Sequence, residues 1–156
     1  MRWFDFVLNP LRGTARDKRG VSAVEFAIVA PVLVAMLIPT VDIGMGLYTK
    51  MQVQNAVQAG AQYATASGWN SSGIQNAVTS ATGLSSVLAS PAPSQSCGCV
   101  NGTTLANASC SATCPDGSTA GVYVTVSAQS RYSPLFPYPV LGSSTTLTAQ
   151  TTVRIQ

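Results

Sequence analysis

No histidine occurs among the 156 residues. The commonest general base and the commonest metal-ligating side chain are therefore both missing. Charge is sparse too, at 8 % of the chain, with 8 Lys and Arg against 5 Asp and Glu. Serines are abundant, but none stands beside an evident activating partner, so no nucleophile–base pair can be assembled. The composition argues against an enzyme and implies no cofactor.

The few charges are unevenly placed. Arg2, Arg12, Arg16, Lys18 and Arg19 precede Gly20 together with Asp5 and Asp17, and this short leader holds the whole net charge of +3. Beyond Gly20, Lys50, Arg131 and Arg154 balance Glu25, Asp42 and Asp116. A nucleic-acid partner is excluded on this ground, because a basic footprint would have to persist in the folded domain.

The gap between those charges is the main positive feature. Residues 26–49 contain Asp42 as their only charged residue. About 24 residues of helix span roughly 36 Å, enough to cross a hydrocarbon core of about 30 Å. The centre of the run is apolar on every face, unlike a surface helix. Pro31 and Pro39 are expected to kink or loosen it. Asp42 lies late in the run, either near the headgroups or facing a partner helix. The basic leader predicts a cytoplasmic N-terminus and an exported C-terminal part. An ordinary signal peptide is the competing reading, with Ala64-Thr65-Ala66 in the small-x-small form of a cleavage site. That site lies far beyond the apolar run, which is itself longer than a usual signal core.

The junction reads Asp17-Lys18-Arg19-Gly20-Val21-Ser22-Ala23-Val24-Glu25-Phe26. Glycine lets the backbone enter a peptidase cleft in extended form, and Lys18 and Arg19 hold the bond at the membrane face. A carboxylate heading an apolar helix is costly in lipid, yet it gains from the helix N-terminus and from any neighbouring ammonium. As a plain alternative, Glu25 is an interfacial cap. Basic residues, a glycine, small or apolar residues, then Glu-Phe opening an apolar helix resemble the type IV prepilin processing site. The match is to the TadE-like family of tight-adherence (Tad or Flp) pilus-assembly proteins. That resemblance implies cleavage by a prepilin peptidase after Gly20 and a new N-terminus at Val21, commonly methylated in the wider class. It also implies a Glu25 that sets register between subunits, and other pilins or pseudopilins of the same system as partners. Major subunits of such systems are much shorter and nearly all helix, so the resemblance implies a minor pilin or pseudopilin that serves adhesion. The alternative is an uncleaved single-pass inner-membrane protein with a periplasmic binding domain.

Past the membrane, Val53, Ala56, Val57, Gly60 and Ala64 form one apolar stripe at helical spacing. Packing of this stripe within the chain competes with packing against a filament neighbour. The run 54–64 is similar to the family's small-residue helix, with Gln58 where an arginine often stands. The helix is expected to end at Ser67-Gly68. Residues 72–88 read as a second helix, with Ser72 as a possible N-cap. Residues 122–132 and 147–155 alternate as strands around a proline-rich turn at 134–139 and suggest an antiparallel pair.

Cys97, Cys99, Cys110 and Cys114 fall in a segment rich in Gly, Ser, Thr and Asn, read as a loop over 97–114. Export favours two disulfides. A Cys97–Cys99 bond would close a strained ring, so each of these two is expected to join Cys110 or Cys114. A four-thiolate zinc site is the alternative, with unusual spacings. The expected organisation is α+β: a cytoplasmic leader at 1–20, a transmembrane helix with its periplasmic extension at 21–68, and a periplasmic α+β domain at 69–156. The protein is expected in the bacterial inner membrane, spanning once, or in the pilus at the cell surface. Besides the peptidase and other pilins, the lipid bilayer is its expected partner.

Overall fold

The computed structural model describes residues 21–136 and 143–156. Helix α1 runs from Val21–Ser67 and α2 from Ser71–Ser80. Five strands follow: β1 Val87–Leu88, β2 Ser94–Asn101, β3 Thr104–Asn107, β4 Gly121–Tyr132 and β5 Thr145–Arg154. The architecture is α+β, and the chain divides into two compact units, residues 1–43 and 44–156.

The described part of the first unit is helix alone. Val24, Phe26, Ile28, Val32, Leu33 and Met36 are each at least half exposed, so apolar side chains point outward all round. Only a bilayer or neighbouring helices can solvate such a surface. Pro31 and Pro39 lie inside α1, which continues through both to Ser67.

The second unit is built around β4. This strand pairs antiparallel with β5 over ten residues, from Tyr123↔Arg154 to Tyr132↔Thr145. Its other edge is shared: β2 pairs with residues 121–125 and β1 with residues 129–130. A two-residue turn then joins β2 to β3, with Gly102 at φ 62° in the pattern of a type II′ hairpin. The sheet packs on α1 and α2. Val53, Ala56, Val57 and Ala64 meet Ile74, Val78, Val124, Val126 and Ala128 in one buried cluster. Gly60 is the close-approach position of the stripe. A β-carbon there would fall 2.6 Å from Val78 Cγ2 and 2.9 Å from Val126 Cγ1.

Helix α1 stops at Ser67, where Gly68 takes φ 74° and its amide donates to the Ala64 carbonyl at 3.0 Å. Only glycine adopts this left-handed turn cheaply. The second helix differs from expectation at both ends. Asn70, not Ser72, is its N-cap: Oδ1 accepts from the Gly73 amide at 3.0 Å and from the Ser72 hydroxyl at 2.9 Å. The helix ends at Ser80 rather than near 88, because Val87 and Leu88 are taken by the sheet. The cysteine segment also differs. Cys97 and Cys99 sit on β2, a strand inside the sheet rather than an open loop.

Candidate assembly face and disulfide-bonded hairpin

Lys18, Arg19 and Gly20 lie outside the described residues. The described part of the junction is helical, with α1 starting at Val21. Glu25 is four residues further on, one turn along the same face. It is exposed, and beside it Phe26 is 68 % exposed. A carboxylate in that position is available to a charge on Val21 or on a neighbouring chain, while the apolar face below it is available to lipid or other helices. Asp42 is on the same helix and buried, at 2 % exposure.

The stripe from Val53 to Ala64 is consumed within its own domain, since it forms the floor of the core described above. What α1 offers beyond residue 50 is its polar side, with Gln54, Asn55, Gln58 and Gln62 exposed.

Two disulfides fasten the far side of the sheet. Cys97 joins Cys110 and Cys99 joins Cys114, with Cα separations of 5.0 and 5.5 Å. Both therefore tie β2 to the connection between β3 and β4. Cys99 and Cys114 are buried with Ala120 in a small second cluster. That connection closes on itself: the Cys114 amide donates to the Ser118 carbonyl at 2.7 Å and the Ala120 amide to the Ala112 carbonyl at 2.9 Å. At its tip Asp116 Oδ1 accepts from the Ser118 hydroxyl at 2.7 Å and from the Ser118 amide at 3.0 Å. These bonds, the hydroxyl first, hold the exposed Asp116 carboxyl below its ordinary pKa. With all four sulfurs in disulfides, no thiolate is left to ligate zinc.

Ser86 and Ser130 meet hydroxyl to hydroxyl at 2.9 Å. The groove that they border is otherwise lined by Leu88, Gln129, Arg131 and Thr146, which supply no carboxylate to act as a base.

The comparison with known families falls on the helix rather than on the disulfide-bonded part. The family model of TadE-like proteins matches residues 20–62. Residues 20–62 are therefore similar to TadE-like proteins. No curated protein and no solved structure matches the chain. A TadE-like domain fits a component of a Tad pilus system, a family whose role is structural rather than enzymatic and whose natural partners are other pilus components. The matched stretch starts at Gly20 and covers most of the long apolar helix, which fits a single-pass membrane protein.

Proposed function

We propose that this TadE-like protein is a minor pilin or pseudopilin of a Tad/Flp-type pilus, cut by a prepilin peptidase after Gly20 and then inserted into the filament or used to prime it. The leader with Lys18 and Arg19 holds the N-terminus in the cytoplasm, and the domain from residue 69 onward is periplasmic. Cleavage converts the Val21 amide into an ammonium one helical turn from Glu25. That ammonium, or the one on a neighbouring subunit, pairs with the carboxylate and sets the register of assembly.

One observation carries the reading: the family match spans Gly20 to Gln62, uniting the Gly20–Glu25 spacing with a helix whose apolar residues between Val24 and Leu37 are exposed. The test is intact-mass and N-terminal analysis of the membrane-extracted protein made beside its host's prepilin peptidase. An N-terminus at Val21 is expected. One at Met1 favours a stationary membrane protein with a periplasmic binding domain, and one at Ser67 favours a signal-peptide cut.

A further inference from the structure

One end of the second unit carries its own apolar tip. Two contacts within the second unit fix the relation of β4 to α1. Gly60 packs against Val126, and Gly46 faces the ring of Tyr132, whose Cε1 lies 3.5 Å from where a β-carbon on Gly46 would be. Between Gly60 and Gly46 the helix travels roughly 21 Å, and between Val126 and Tyr132 the strand travels roughly 20 Å. The near equality means that β4 runs antiparallel alongside α1, and its C-terminal end arrives level with Gly46. Gly46 is about one turn before Lys50, the residue that closes the charge-free run. The β4–β5 connection therefore leaves the sheet at the depth where the helix meets the bilayer surface.

Its first residues suit that depth. Leu135 is 69 % exposed and Phe136 is 50 % exposed. Neither is needed by the buried core of the domain. Tyr48 is exposed on α1 at the same level, and Tyr132 lies against the helix, placing two amphipathic rings where membrane proteins concentrate them. Lys50 and Arg131 are both exposed beside this tip. The nearest acidic residue along the helix is Asp42, about one turn before Gly46 and only 2 % exposed.

We infer that the start of the β4–β5 connection, Leu135 and Phe136, inserts into the lipid interface as a second membrane contact, with Lys50 and Arg131 against headgroup phosphates. The contact holds the exported domain down on the bilayer surface, and it rests on the membrane-spanning reading of α1.

The test uses the full chain in lipid nanodiscs, with Trp3→Phe and Trp69→Phe removing the native indoles. Phe136→Trp, and separately Leu135→Trp, then report depth by fluorescence. Lipids brominated near the top of the acyl chains are expected to reduce either emission by about two-fold, with little quenching by aqueous acrylamide. Leu105→Trp on β3, at the opposite end of the sheet, is expected to show the reverse. Quenching by acrylamide alone at 135 and 136 places the tip in water and overturns the inference. Quenching by neither agent means that protein covers the tip, and also overturns it. Met36→Trp distinguishes the two levels of failure: if it too escapes the bromolipid, α1 does not span the bilayer and the membrane reading falls as well.

Discussion

Gly60 of α1 and Val126 of β4 are so close that the helix has no room for a methyl group between them: a β-carbon on Gly60 would lie 2.9 Å from Val126 Cγ1. The other near neighbour is Val78 of α2, and both valines are fully buried and stiff about χ1. Gly60→Ala should therefore lose about 1–3 kcal/mol to overpacking, offset by up to about 1 kcal/mol of better helix propensity. A lower thermal midpoint than wild type, measured in one detergent, is the expected result. Gly60→Leu should be worse still.

The disulfides offer a second measurement. They close separations of 13 and 15 residues, for each of which the chain-entropy picture expects about 2–4 kcal/mol. Replacing Cys97 and Cys110 together by serine should cost a few kcal/mol. Replacing Cys99 and Cys114 should cost more, because both are buried with Ala120 and serine would bring hydroxyls into that cluster. Chemical denaturation of the two double variants checks the order.

Glu25→Ala tests the assembly proposal. An exposed side chain on a lipid-facing helix supports nothing in the fold, so the variant should accumulate and be cut normally. Losing a charge pair of about 1–2 kcal/mol should reduce its recovery in sheared pili by about ten-fold. Equal recovery would show that the carboxylate has no part in register.

Asp116 supplies a pH prediction. Its folded pKa is lowered by the Ser118 hydroxyl and amide. A lowered carboxyl contributes stability that is fully present above the unfolded value, about 3.9, and disappears as pH falls through the folded value. The turn at 114–118 should therefore loosen only under strongly acidic conditions. NMR titration of the Asp116 carboxyl carbon should give a midpoint below that of a free aspartate, and Ser118→Ala should bring it back up.

Much of this architecture was legible in the residues, and the failures share a cause. The stripe Val53, Ala56, Val57, Gly60 and Ala64 and the alternation from Val122 to Ala128 are strong periodic signals, and both elements form as their patterns imply. The hairpin of β2 and β3 has no such signal. Ser94-Gln95-Ser96 and Asn101-Gly102-Thr103 have the composition of a loop, and β2 is held by pairing with β4 and by two sulfur bridges rather than by an apolar face. Asn101-Gly102 was the one available turn signal. At α2, Asn70 and Ser72 are both competent caps, and what decides between them is which backbone turns extended. Asn70 does so, at φ −151°. The junction before Val21 lies outside the described residues, and its reading as a processing site rests on the residues around Gly20 alone.

The antiparallel run of β4 beside α1 has a mechanical consequence. Tension drawn along the helix would load the Gly60–Val126 and Gly46–Tyr132 contacts together, in shear, instead of peeling them apart one after another. A subunit tugged by its rod would keep its sheet domain seated until the whole row yielded at once.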